Sequence, residues 1–180
     1  LIYTSSIAVY GNSTKKLVKE NEKLNPCSNY ALSKEIAEKQ LLFFSRNFGI
    51  KSICLRLCSI YGPGLKRQII YDLITKIKSK KQIKLHGHKH DKRQFLFVED
   101  CAEMLSKFCK KNIKANFNIF NISGGNLVHI KAIAKEIQGI LKINKKVVFL
   151  NKVKSPNLPS LFNFKFLKKF GQIKFTPLKL

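Results

Sequence analysis

Tyr30 and Lys34 stand four residues apart in Tyr30-Ala31-Leu32-Ser33-Lys34, and a hydroxyl-rich turn, Thr4-Ser5-Ser6, lies upstream. On a helix, residues i and i+4 share a face about one turn apart, so the ammonium can reach the phenol. A cation there favours phenolate over phenol, and a phenol with an ordinary pKa of about 10 needs such help to accept a proton near neutrality. The pair is a general base in outline. A second group, His86, His88 and His90, alternates as ligands on one side of a strand would. Gly87 within that run, and Asp91 as its only neighbouring acid, favour a solvated turn over a metal site.

The elements that must position these groups follow in order. Residues 1–5 read as a buried parallel strand that ends in the polar turn, and open α/β sheets gather their active sites at strand carboxyl ends. Val9-Tyr10-Gly11-Asn12 closes a turn, and the stretch through Pro26 is polar and irregular. Ser28 or Asn29 caps a helix that runs to about Asn47 and stops at Gly49, with Ile36, Leu41, Phe43 and Phe44 as its apolar surface. Ser52 to Cys58 is the next strand, so strand, helix and strand alternate as in a parallel crossover.

Tyr61-Gly62-Pro63-Gly64 breaks the chain. A helix from Gln68 carries Ile69, Ile70, Leu73, Ile74 and Ile77 at helical spacing. Then come a short strand from Ile83 to Leu85, a turn at 87–91, and a strand from Arg93 to Val98. Asp100 caps a helix to about Lys110. Phe117 to Ile122 is a strand ending at Ser123-Gly124-Gly125, and His129 to Leu141 is an amphipathic helix with Ile130, Ile133, Ile137 and Ile140 in register. Val147 to Leu150 is the last expected strand, and Pro156 and Pro159 mark an irregular connection to the Phe164–Phe170 segment.

Composition narrows the class. Of 180 residues, 35 are Lys or Arg against 10 Asp or Glu, a net charge of +25, and only Arg46, Arg56, Arg67 and Arg93 are arginine. The lysines are scattered rather than set in a stripe with stacking aromatics, which disfavours a dedicated nucleic-acid module. Charge-driven polyanion binding is the alternative, and its affinity would fall steeply with salt. Cys27, Cys54, Cys58, Cys101 and Cys109 include no CxxC pair, so reduced thiols, buried or half-buried, are expected rather than a zinc ribbon or disulfides. No apolar run approaches the roughly 20 residues of a membrane span and no signal peptide is evident, so cytoplasm is the expected location. Because Leu1-Ile2-Tyr3 enters directly into a strand, a fragment lacking its first third is expected.

In fixed order, Thr4-Ser5-Ser6-Ile7-Ala8-Val9-Tyr10-Gly11, Asn29 to Lys34 with Glu38, Leu55-Arg56, Tyr61-Gly62-Pro63-Gly64 and Arg93 to Asp100 resemble the extended short-chain dehydrogenase/reductases. The specific likeness is to the NAD-dependent epimerase/dehydratase family acting on nucleotide sugars. Phe117 to Gly125 is similar to that family's segment before a C-terminal helix. The resemblance implies an α/β fold, the C-terminal part of a Rossmann-type doubly wound parallel sheet with a small α/β substrate-binding region. Residues 1–62 would be the C-terminal half of the NAD(P)-binding domain, and 63–180 mainly substrate-binding, with 93–122 returning to the Rossmann part. It also implies NAD or NADP as cofactor, a nucleoside-diphosphate sugar as substrate, and a homodimer packing two helices per subunit, one of them the Tyr30 helix. No specific nucleic-acid or membrane partner is implied.

By the same resemblance, Tyr30 matches the catalytic tyrosine, Lys34 its lysine, and Ser6 the catalytic serine whose hydroxyl holds the substrate oxygen. Tyr30 would take the sugar hydroxyl proton as hydride passes to the nicotinamide. Ser5, Tyr30, Lys34 and Tyr61 would border the cofactor; Ser6, Ser59 and Arg93 would border the substrate, Arg93 as a planar fork on its diphosphate. Asp100 would organise its helix start, while Tyr10 and Gly11 shape their turn.

Departures from the family pattern choose among activities. Ile7-Ala8 stand where 4,6-dehydratases carry an Asp-Glu pair, so elimination lacks its proton carriers and a UDP-glucose 4-epimerase-like epimerase or a 4-ketoreductase is expected. Ser59 replaces the usual asparagine before Tyr-Gly-Pro, and no arginine stands near Lys154-Ser155-Pro156. No GxxGxxG turn occurs anywhere, which is the motif that brings backbone amides to the pyrophosphate. The chain alone is therefore expected to fold poorly and to bind dinucleotide weakly, and the alternative is a truncated non-catalytic remnant or binding module.

Overall fold

In chain order the elements are β1 (Ile2–Ser6), a 3-10 turn (Ile7–Tyr10), β2 (Leu17–Val18), α1 (Asn29–Phe48), β3 (Ser52–Leu57), β4 (Ser59–Tyr61), α2 (Gln68–Lys78), β5 (Ile83–Leu85) and β6 (Lys92–Arg93). Then follow β7 (Phe95–Phe97), α3 (Val98–Lys110), β8 (Phe117–Ile122), β9 (Val128–His129), α4 (Ile130–Leu141), β10 (Val147–Phe149), β11 (Ser160–Leu161) and α5 (Phe164–Phe170). The structure, a computed structural model, describes all residues except 12–16, 80–81, 86–90, 111–114, 126, 151–159, 162–163, 172–173 and 177–180. The histidine run and the Lys154-Ser155-Pro156 element lie outside the described residues.

β1, β3 and β8 pair in parallel in the order β1-β3-β8, with Ser5 opposite Arg56 and Arg56 opposite Asn121. Side chains alternate along a strand, so this register lays Ser5, Arg56 and Asn121 in one polar row on one face, one residue short of the strand ends. The opposite face presents Ile53, Leu55, Leu57, Phe120 and Ile122, which pack with Met104 and Phe108 of α3 and Phe166 of α5. Phe108 meets Phe120 edge-on at 4.9 Å and Phe170 at 4.7 Å between ring centres. The sheet is thus covered on both faces, as a parallel sheet must be.

α1 covers the polar face. Its start is capped by Ser28, whose Oγ accepts from the Ala31 amide at 3.1 Å, and Gly49 ends it in the left-handed conformation at φ 66°. The expected apolar surface of Ile36, Leu41, Phe43 and Phe44 does not face the sheet. The buried residues of α1 are Ala31, Glu38 and Ser45, seven apart, while Ile36, Phe43 and Phe44 are exposed and Leu41 is half-buried. The reason is the surface beneath: a row of Ser5, Arg56 and Asn121 accepts small and hydrogen-bonding side chains, and the aromatic face is left outward.

A second cluster lies between α2 and α4 over the parallel pair β5-β10, built from Ile70, Leu73, Ile77, Ile83, Leu85, Ile133, Ala134 and Ile137. Tyr61 and Phe95 edge it where β4 pairs with β7. Ile140, expected in register, is 54% exposed because the last turn of α4 overruns this core. The Arg93–Val98 stretch divides at Gln94 into β6 and β7, and α3 starts at Val98, so Asp100 sits in its first turn rather than at its cap. Both Asp100 oxygens accept from Thr176, at 2.7 Å each. β10 is not the last strand, since β11 follows and pairs with β2. Among the described residues, no helix is long and apolar enough to cross a membrane, and no group of three or more His, Cys, Asp or Glu could hold a metal ion.

Candidate active site

The carboxyl ends of β1, β3 and β4 and the starts of α1 and α2 surround an open cleft of about 800 Å³. Ser5, Ser6, Tyr30, Lys34, Ser59, Tyr61 and Arg93 all line it, although they come from four separate elements. Its size falls in the range of small-molecule sites.

Ser6 is both the last residue of β1 and the cap of the 3-10 turn. Its Oγ accepts from the Ala8 amide at 3.2 Å, which fixes the oxygen and leaves the hydroxyl proton to donate. The turn then ends at Gly11, with φ 58°, where a Cβ would collide with the Asn25 carbonyl. Ser5 borders the cleft, but its own hydroxyl is buried and donates to Glu38 Oε1 at 2.5 Å.

Tyr30 lies in the first turn of α1 and is 58% exposed, with its ring open to the cleft. Lys34 Nζ sits 5.7 Å from the centre of that ring and 4.9 Å from the centre of the Tyr3 ring, within cation–π reach of both. Its hydrogen bond goes to the Thr4 carbonyl at 2.9 Å. The Ile53 amide donates to the Leu1 carbonyl, so Leu1, Tyr3 and Ser5 direct their backbone groups at β3, while Thr4 directs its carbonyl outward. Lys34 supplies the donor that this outward carbonyl lacks.

The far wall is the Tyr61-Gly62-Pro63-Gly64 turn, with Arg67, Gln68 and Ile69 beyond it. Gly62 takes φ 153°, and a Cβ there would run into the Val98 side chain, so this close approach requires glycine. The Tyr61 ring packs against Phe97 at 5.5 Å, and its hydroxyl pKa is raised by burial and then by Asp100 and Glu136. Cys58 is also in the wall, its thiol pushed up to about 12, mainly by burial. Arg93, half-buried on β6, reaches the cleft from the antiparallel pair β6-β9. Among the described lining residues there is no carboxylate.

Sequence reasoning missed Arg67 and Gln68, which open α2 at the cleft edge. The available signal was the turn Pro63-Gly64 just before a periodic helix, which aims the helix start at the strand ends. It also assigned no role to Glu38 or Arg56, which lie beneath the cleft floor with 4% and 2% exposure.

One family model and three known proteins bear on this geometry. Residues 1–123 match the model of the NAD dependent epimerase/dehydratase family. Over 153 residues the chain is 31% identical to a dTDP-4-dehydro-6-deoxyglucose reductase of Escherichia coli, covering 82% of this chain and 47% of the relative. Its fold is similar to that of a UDP-glucuronic acid 4-epimerase from Bacillus cereus, crystallised with UDP-glucuronic acid and NAD, with a TM-score of 0.85, 22% identity, and coverage of 93% of this chain and 54% of that one. It is similar also to a dTDP-glucose 4,6-dehydratase from Bacillus anthracis str. Ames in complex with NAD, with a TM-score of 0.84, 22% identity, and coverage of 95% and 55%. The chain spans about half the length of these relatives.

Proposed function

Because the chain belongs to the NAD dependent epimerase/dehydratase family, we propose that it carries the Ser6, Tyr30 and Lys34 machinery of a nucleotide-sugar 4-epimerase or 4-ketoreductase. The observation that carries this reading is the convergence of Ser6, Tyr30, Lys34, Ser59 and Arg93 on one cleft from distant parts of the chain. Tyr30 takes the proton of the reacting sugar hydroxyl, Ser6 donates to the same oxygen as charge develops, and Lys34 supplies the nearby cation. Arg93, with Arg67 across the cleft, holds the substrate diphosphate. The absence of a lining carboxylate among the described residues supports transfer at C4 over loss of water, which needs a carboxylic acid and base.

The donors at the cleft fit the nicotinamide end of NAD or NADP: Tyr30 and Lys34 offer a hydroxyl and an ammonium to a ribose diol, and Tyr61 walls the other side. The cofactor, when bound, accepts and returns hydride. The glycine-rich turn for its pyrophosphate is not among the 180 residues, so weak dinucleotide binding by this chain is expected in calorimetry. Residues 1–62 with 93–122 form the cofactor side, and the rest of 63–180 forms the substrate side. The two hydrophobic clusters largely follow that division, but Phe166 and Phe170 of α5 pack with the first, and Tyr61, Phe95 and Phe97 pack with the second.

The test is titration of the full chain with UDP, followed by incubation with UDP-glucose and NAD while the 4-epimer is monitored. Tyr30→Phe should abolish turnover and keep both fold and UDP affinity; retained turnover removes Tyr30 from the mechanism. UDP binding with no conversion in the wild type supports a non-catalytic binding module instead.

The outward face of α1, with Leu32, Ile36, Phe43, Phe44 and Phe48 exposed, packs against a second copy of the chain. Sedimentation of Phe44→Glu should then give monomer where the wild type gives dimer.

A further inference from the structure

We propose that Glu38 and Arg56 are positioning residues: together with Ser5 they form a buried clamp that sets Tyr30 and Lys34 on α1 in register with Ser6 on β1. This inference rests on the catalytic reading above.

The clamp is closely made. Arg56 Nε lies 3.0 Å from Glu38 Oε1, and Arg56 Nη2 lies 2.7 Å from Oε2, so the guanidinium grips the carboxylate with two prongs. Ser5 donates to the same Oε1. The other prong of Arg56, Nη1, donates to the Tyr10 hydroxyl at 2.7 Å and to the Glu20 carbonyl at 2.9 Å. The Tyr10 hydroxyl donates to Asn121 Oδ1 at 2.7 Å, and the backbone N–H of Asn121 donates to Glu20 Oε1 at 3.1 Å. Among the described residues, no buried side-chain polar atom lacks a partner.

Its placement is what assigns it a role. Tyr30, Lys34 and Glu38 recur every fourth residue on α1, so Glu38 stands roughly 6 Å along the axis from Lys34. Ser5 is the residue next to Ser6. Each catalytic element is therefore one step from the clamp, Lys34 by one helical turn and Ser6 by one peptide. Two bonds from Arg56 and one from Ser5 fix both the slide and the roll of α1 over β1 and β3. Ala31 offers only non-directional contact, and the other directional bond of this buried stripe, from the Ser45 hydroxyl to the Asn116 carbonyl at 2.7 Å, lies about two turns beyond Glu38 and farther from Tyr30 and Lys34.

Energetics points the same way. Two charges this deeply buried lose their hydration, and an apolar pair of the same volume commonly folds as well or better. Stability is thus a poor explanation for an ion pair at this place, whereas directional control of a site just above it is a good one. An ångström of misplacement of reacting groups can cost about 100-fold in rate.

The full chain is labelled with [13Cζ]tyrosine and [13Cε]lysine, and the Tyr30 and Lys34 resonances are assigned through Tyr30→Phe and Lys34→Gln. Glu38→Met combined with Arg56→Met removes the clamp without leaving a buried charge. The double variant should melt cooperatively and bind UDP within about twofold of wild type, yet shift and broaden the Tyr30 and Lys34 resonances. Where turnover is measurable, kcat should fall about 100-fold with KM nearly unchanged. Leu73→Ala, in the other core, lowers the melting temperature and should leave both resonances in place, which separates positioning from general loosening. A folded double variant with unmoved Tyr30 and Lys34 resonances overturns the proposal. If that variant does not fold, Ser5→Ala, which keeps the ion pair, should still move the Lys34 resonance, and no movement there overturns it equally. If the wild type binds no UDP, the nucleotide-sugar reading fails, while the resonances still judge the clamp.

Discussion

Around β1, β3 and β8 the buried residues include Ser5, Glu20, Glu38, Arg56 and Asn121 beside the aliphatic ones, while between α2 and α4 they are almost entirely Ile, Leu and Ala. The difference concerns what each region has to specify. Apolar packing is non-directional, so an Ile-rich interface fixes volume more strongly than angle. Hydrogen bonds and ion pairs are directional and costly when unmade. The strand ends that present Ser6, and the helix that presents Tyr30 and Lys34, lie over the directional region. The aliphatic region closes the far wall of the cleft, where a turn and a helix start need only be held nearby.

Alkaline titration should separate the two regions most widely. Cys54, Cys58 and Cys101 are all buried around the sheet, and burial raises each thiol, Cys58 to about 12 and Cys101 to about 11, with Cys54 moved in the same direction. An unfolded thiol titrates near about 8.5. Between that value and the raised ones the native state holds protons that the unfolded state has released, so stability falls with rising pH. It is fully present below about pH 8 and is lost progressively as pH rises toward 11 and 12. Urea midpoints should therefore be steady from pH 6 to 8 and drop from 9 to 10.5. The variant with Cys54, Cys58 and Cys101 replaced by Ala should drop much less. Identical pH profiles for the two proteins would remove the thiols from this account.

Arg56→Leu comes next in size. It leaves the Glu38 carboxylate buried without its main partner, at a cost of about 3–5 kcal/mol in chemical denaturation. The comparison predicts that this loss greatly exceeds that of any single methyl deletion between α2 and α4. A loss below about 1 kcal/mol would mean that water reaches Glu38 and that the region is not dry.

What the sequence disclosed follows the same division. Ser28 and Gly49 marked the ends of α1 because caps are local signals, and Ile70, Leu73, Ile77, Ile133 and Ile137 marked α2 and α4 because apolar periodicity is local too. Ser5, Arg56 and Asn121 gave no such signal. They become neighbours only through the register of three strands that are far apart in the chain. That hidden row is also what turns the aromatic face of α1 outward: spacing named an apolar surface, and only the polar groups of the sheet decide that it faces away. The residues around the cleft were legible as motifs, whereas Arg67 and Gln68 reach it through the geometry of one turn. Lys34 shared a face with Tyr30 as its spacing required, yet its hydrogen bond goes to Thr4, an outward carbonyl that spacing does not reveal.

The smallest expected effect tests whether the two regions are as separate as their materials suggest. Ile133 is fully buried on α4 among the residues that pack against α2 and β5. Ile133→Val deletes one methyl group and no hydrogen bond, so it should cost roughly 1 kcal/mol. For a chain of this size that is about 2–4 °C in melting temperature. Because no directional contact is altered, UDP affinity and the Tyr30 and Lys34 resonances should stay at wild-type values. Tyr61 and Phe95 stand between this core and the cleft, and their rings lie 6.3 Å apart, edge to face. A shift transmitted through that pair would appear as weakened UDP binding accompanying the lower melting temperature. Such coupling would make the aliphatic core part of the site, and the contrast between a directional and a space-filling region would fail at that wall.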